Sequence, residues 1–113
     1  KVIAIDNDPQ ALLASRDNAQ RNNIAPERIS TYLPEDLPKT VEGQTILANI
    51  LAAPLIELAP KLTTLTATNG LICLSGLLEH QISAVSQPYL ANFNFDDPAI
   101  ESEWAQLAAR KTA

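Results

Sequence analysis

Short apolar runs alternate with segments of helical period along the whole chain, and that alternation restricts it to an α/β fold. The sharpest instance comes first. Val2-Ile3-Ala4-Ile5 is unbroken and rich in β-branched side chains, and Asp6-Asn7-Asp8-Pro9 stops it abruptly. An uninterrupted run of this kind predicts a parallel strand buried on both faces. Asp8 predicts a helix N-cap, and Pro9 suits the first helical position, where no N–H is needed. Ala11, Leu12, Ser15 and Ala19 then form one helical face opposite Arg16, Asp17, Gln20 and Arg21, and the helix should stop near Asn22-Asn23.

The pattern repeats downstream. Ile29 to Leu33 predicts a second strand, Pro34 to Gln44 a surface loop, and Thr45 to Ala48 a third strand ending at Asn49. Leu55, Leu58, Ala59, Leu62 and Leu65 predict an amphipathic helix that Pro60 kinks or splits and Asn69-Gly70 closes. Leu71 to Ser75 predicts a fourth strand with Gly76 at its end. Glu79 to Leu90 predicts a helix with Ile82 and Val85 inward and Pro88 disturbing its last turn. Asn92-Phe93-Asn94-Phe95 and the segment Glu103 to Arg110, around Trp104 and Leu107, alternate polar with apolar. With the turn Asp96-Asp97-Pro98 between them, they predict an antiparallel pair closing an otherwise parallel sheet.

Composition narrows the function. The chain has 113 residues, 13 acidic against 8 basic, with a formal net charge of -5. No basic stripe is present to hold phosphates, so nucleic-acid and membrane-surface binding are disfavoured. One cysteine, Cys73, cannot form an internal disulfide, which points to a reducing, cytoplasmic setting. No apolar run approaches the roughly 20 residues of a membrane span. The chain contains no Met and opens on Lys1 inside an apolar run, so it reads as a piece of a longer protein.

Two residues are candidates for chemistry. Asp6 stands where a strand ends and a helix begins, and open α/β sheets bind ligands at the carboxyl ends of their strands. Its two oxygens match the two donor hydroxyls of a ribose; the competing reading is a strand terminator or helix cap. Asn49 ends the third strand, before Ile50-Leu51-Ala52-Ala53-Pro54, and would face the same crevice if the strands are parallel. An amide there can donate and accept; it can equally be a turn residue or helix cap. Cys73 reads as a small buried hydrophobe, His80 as a solvated surface residue, and Trp104 as packed on the sheet. Ser75-Gly76 lacks a nucleophile-elbow pattern, and Asp96-Asp97 with Glu101 and Glu103 form a charged, solvent-facing turn. No metal site can be named.

The runs Ile5-Asp6-Asn7-Asp8-Pro9-Gln10-Ala11 and Ser15-Arg16-Asp17-Asn18-Ala19-Gln20-Arg21-Asn22 resemble one family. Ala48-Asn49-Ile50-Leu51-Ala52-Ala53-Pro54-Leu55, Leu74-Ser75-Gly76-Leu77-Leu78 and Glu103-Trp104 strengthen the likeness, which runs in order over nearly the whole chain. It is to the C-terminal part of the bacterial ribosomal protein L-eleven methyltransferases. The resemblance implies a Rossmann-like class I methyltransferase sheet using S-adenosylmethionine, here over residues 1–113 without the first strand, its Gly-rich loop and the N-terminal recognition domain. It further implies that Asp6 holds the cofactor's ribose hydroxyls. Asn49 would lie beside the methionine end of the cofactor and the target amine, as the catalytic position. The family methylates lysine and N-terminal amines of a large-subunit ribosomal protein. Related enzymes follow this Asn with Pro-Pro and an aromatic ring; Ile50-Leu51-Ala52 stands here instead, which favours a flexible amine over a planar target. The missing strand would leave two unpaired sheet edges, through which the chain is expected either to self-associate or to be repaired by a partner. A nicotinamide-dependent dehydrogenase and a non-catalytic interaction module are the alternative readings.

Overall fold

The computed structural model describes residues 1–112, which divide into two compact units, Lys1–Val41 and the part from Glu42 onward. In the first unit, β1 (Val2–Ile5) pairs in parallel with β2 (Ile29–Tyr32), from Val2 opposite Ile29 to Ile5 opposite Tyr32. The connecting helix α1 (Pro9–Arg21) starts as its sequence dictates: the Asp8 carboxylate accepts the Gln10 N–H at 2.9 Å, with Pro9 in the first turn. It ends at Asn22, and Asn23 adopts a left-handed φ of 61°. Leu12 and Ala19 are its buried residues, and Arg16 donates to Thr31 Oγ1 at 2.6 Å, tying helix to strand. Leu37, in the long loop, is buried as well.

One expectation fails in this unit. Val2 is 58% exposed, and Ile3 and Ile5 are exposed with it. Among the described residues β1 is bonded to a strand on one side only, so its apolar run is that of a covered strand while its surroundings are those of an edge.

The second unit is a mixed sheet in the order β3-β4-β7-β5, with β6 also pairing with β7. Its strands are β3 (Gly43–Asn49), β4 (Thr66–Leu78), β5 (Phe93–Phe95), β6 (Ala99–Glu101) and β7 (Trp104–Lys111). β3 and β4 run parallel, and β7 is antiparallel to β4, β5 and β6, which gives the expected parallel portion with an antiparallel closure. β6 has no sequence signature: three residues after a Pro are too few to alternate.

The helix expected around Pro60 is split into α2 (Ala52–Glu57) and α3 (Ala59–Leu65), with Leu58 ending one and starting the other and Pro60 in the first turn of α3. The predicted closure at Asn69-Gly70 is displaced. The chain is already extended at Thr66, and Asn69, with φ 66°, lies inside β4. Gly76 likewise does not end the strand. Leu74 faces Leu107 while Leu77 faces Ala105, so β4 spends one residue more than β7 between these pairs: a β-bulge, with Gly76 at φ 91°. The extra residue keeps Leu77 on the same face as Ile72 and Leu74, all three fully buried.

That face carries the core. Ile72, Leu74, Leu77, Ala105, Leu107 and Ala109 pack against Leu55, Ala59, Val85 and Tyr89 from the helical segments, Val85 belonging to α4 (Ile82–Ser86). Tyr89 is wholly buried, with Phe93 and Phe95 edge-on at 5.9 and 6.5 Å between ring centroids. Its hydroxyl donates to the Leu55 carbonyl at 2.6 Å, and burial pushes its pKa up to about 12. Lys111 Nζ donates to the carbonyls of Thr63 and Thr66, both at 2.8 Å, where α3 ends. No helix among the described residues is long and apolar enough to cross a membrane.

Candidate functional site

In the first unit, Asp6 is exposed and directly follows β1. Its backbone N–H donates to Tyr32 O at 3.3 Å, and its Oδ1 accepts the Asp8 N–H at 2.9 Å, an Asx turn that aims Asp8 at the helix. Asp8 is therefore the cap, as expected, but Asp6 is not idle: one oxygen is used locally. Oδ2 has no hydrogen-bond partner among the described residues, and Oδ1 retains a second lone pair.

In the second unit, Asn49 ends β3, opposite Ser75 of β4. Ile46 and Ala48 pack against the core, so period-two alternation sends Leu47 and Asn49 to the other face. The Asn49 side chain is exposed and makes no hydrogen bond among the described residues. Asn49 lines an open crevice of about 770 Å³ together with Ile50, Leu51, Ser75, Gly76 and the β6–β7 hairpin. The bulge sets its floor. A Cβ on Gly76 would lie 2.5 Å from Ile50 O and 2.9 Å from Asn49 Oδ1, so only glycine lets these backbones approach as they do.

Trp104 departs from its expected place. It is 55% exposed and lines the crevice rather than packing on the core. The reason is parity: Ala105, Leu107 and Ala109 point inward, so Trp104 and Leu107, three apart, cannot share a face of a strand. The inward Ala-x-Leu-x-Ala repeat was the signal that could have placed it. Glu101, read as part of a solvent-facing turn, is exposed but also lines the crevice, directly across the hairpin from Trp104. Cys73 is half-buried rather than buried, and His80 is exposed. Gly76 and Glu101 were missed as site residues because their roles depend on a bulge and on a three-residue strand that the sequence does not announce.

A crevice at the carboxyl end of a parallel strand, floored by a bulge and walled by an antiparallel closure, belongs to the Rossmann-like class I methyltransferase fold. Solved structures agree. A ribosomal protein L11 methylase from Lactobacillus delbrueckii subsp. bulgaricus superimposes with a TM-score of 0.87 at 26% identity, over 100% of this chain and 59% of that one. An RNA methyltransferase from Salinibacter ruber, in complex with S-adenosyl-L-homocysteine, shares the fold with a TM-score of 0.72 at 12% identity, over 97% of this chain and 65% of that one.

The sequence comparison is narrower. The family model "Ribosomal protein L11 methyltransferase (PrmA)" matches residues 1–112, and the chain belongs to that family. The ribosomal protein L11 methyltransferase of Klebsiella pneumoniae (strain 342) is 47% identical over 111 residues, 98% of this chain and 38% of the relative. That of Pseudomonas aeruginosa (strain LESB58) is 46% identical over 113 residues, 100% of this chain and 38% of the relative. The chain thus spans well under half the length of these curated relatives.

Proposed function

We propose that this chain is the C-terminal part of the catalytic domain of an S-adenosylmethionine-dependent protein N-methyltransferase. Its substrates are lysine and N-terminal amines of a large-subunit ribosomal protein, in the cytoplasm. The observation that carries this reading is Asn49: an unengaged amide at the carboxyl end of a parallel strand, held above a glycine bulge at a crevice, in a chain of this family.

Asp6 and Asn49 each have chemistry that suits the cofactor. Asp6 keeps a free oxygen and a spare lone pair, enough to accept from both hydroxyls of a ribose. Asn49 has donors and an acceptor uncommitted for the methionine end. When bound, the cofactor supplies a methyl group on a positively charged sulfur whose departure as a neutral thioether needs no metal or strong acid. What remains for the protein is alignment and exclusion of water. The Asn49 Oδ1 accepts a hydrogen bond from the neutral amine and so directs its lone pair.

Asp6→Ala in a polypeptide of the relatives' full length tests the cofactor assignment. Charge-assisted hydrogen bonds contribute about 1.5–3 kcal/mol, so affinity for S-adenosylmethionine should fall roughly 10- to 150-fold by calorimetry. Unchanged affinity would remove Asp6 from the site.

A further inference from the structure

We infer that Trp104 and Glu101 form a subsite for an alkylammonium group, the charged end of a lysine-like chain before reaction and of its methylated product afterwards. The inference rests on the amine reading above and adds the residues that recognise the cation.

The hairpin geometry supplies the first argument. Glu101 and Trp104 are register partners across a two-residue turn, Ser102-Glu103, with Ser102 at φ 49°. Directly opposed residues of an antiparallel pair project from the same face, with Cβ atoms about 4.5–5.5 Å apart. The indole and the carboxylate therefore project together, on the crevice side. An indole face is the best of the side-chain aromatics for a cation, and a carboxylate beside it adds the counter-charge.

The crevice chemistry is the second. Glu101 is the only charged residue among the eleven that line it, so the crevice selects for positive charge. Leu51 is 69% exposed at its rim, with Ile50 also exposed, an apolar strip suited to a string of methylenes. The stem is thus matched by the apolar rim, and its one nitrogen by Trp104 with Glu101 while charged and by Asn49 once neutral. A planar base could stack on Trp104, but its phosphates would meet Glu101 and a chain of net charge -5 with no opposing cation in the crevice.

Trp104 is the chain's one tryptophan, so its fluorescence reports the subsite directly. The probe is Nα-acetyl-Nε-trimethyllysine amide, compared with its neutral carbon isostere, in which carbon replaces the quaternary nitrogen. Saturable quenching by the cation and not by the isostere is expected. Glu101→Gln should weaken it several-fold, whereas Glu103→Gln, outside the crevice, should leave it within twofold. Trp104→Ala, followed by the Asn49 and Ala105 amide resonances, should weaken binding roughly 3- to 30-fold, the span of cation–π contributions from exposed to desolvated sites. Equal quenching by cation and isostere, quenching by a nucleoside instead, or no saturation by the cation would overturn the inference. Calorimetry with S-adenosylmethionine on the longer polypeptide separates the two claims: retained cofactor binding without ammonium binding removes the subsite alone.

Discussion

Replacing Gly76 by alanine puts a methyl carbon 2.5 Å from Ile50 O and 2.9 Å from Asn49 Oδ1, at a residue whose φ is 91°. Two costs combine. An L-residue forced into a left-handed backbone loses roughly 1–2 kcal/mol, and an extra methyl group in a closed space costs about 1–3 kcal/mol. The obstructing atom nearest the new methyl is a backbone carbonyl, which cannot rotate away, so the sum of about 2–5 kcal/mol should be realised. Against a total stability of about 5–15 kcal/mol, that is a large share. Each kcal/mol moves the midpoint of a domain this size by roughly 4–8 °C, so thermal unfolding followed by circular dichroism should shift down by at least ~8 °C. The Asn49 side-chain amide pair should also move in a heteronuclear NMR spectrum, because its oxygen must yield. Gly43→Ala is the internal control: its φ is not left-handed, and the nearest obstacle is Ile46 Cδ1 at 2.9 Å, the end of a flexible side chain. That change should cost under ~1 kcal/mol. Equal stability of the two variants, with the Asn49 resonances unmoved, would refute the claim that the bulge holds the amide in place.

Three further outcomes follow from the hydrogen bonds. With the Tyr89 pKa raised from 10.0 to about 12, the unfolded chain loses this proton first as pH rises. Stability from this group is therefore full below pH 10 and lost between about pH 10 and 12. Tyr89→Phe should flatten that part of a urea-denaturation pH profile while lowering stability near neutrality by about 1–3 kcal/mol, since it orphans the Leu55 carbonyl. Lys111→Met removes both bonds to the end of α3 and should cost about 1–3 kcal/mol in the same assay. Asp8→Ala should cost about 1 kcal/mol of stability as a lost helix cap.

What the sequence made legible lies where local chemistry decides. Asp8-Pro9 fixes the start of α1 whatever surrounds it, Pro60 divides α2 from α3, and Asn49 ends β3 where the apolar run stops. What stayed hidden depends on partners distant in the chain. Thr66 to Asn69 reads as the tail of a helix because Leu62 and Leu65 carry the helical period up to it; pairing makes it strand. Ser75-Gly76 has the same local look whether it ends a strand or bulges within one, and only the count against β7 tells them apart. Trp104, read as packed on the sheet, lies exposed because the two-residue period of β7 excludes it from the core face. The strand-end positions of Asp6 and Asn49 are readable from the sequence; the place of Glu101 depends on β6, which the sequence does not mark.

The unequal strand pairing has a consequence for amide exchange with solvent. β4 and β7 are hydrogen-bonded to strands along both sides, whereas among the described residues β1 and β2 have only each other. Backbone amides open to solvent in cooperative groups, the least supported first. Amides of β4 and β7 should therefore trade hydrogen for deuterium only in the rare, largest openings, and those of β1 in frequent small ones. Asp6, at the end of β1, belongs to the fast part of the chain. A ligand gripping Asp6 has local opening to suppress, so its binding would register as slowed exchange in β1 long before any change in β4.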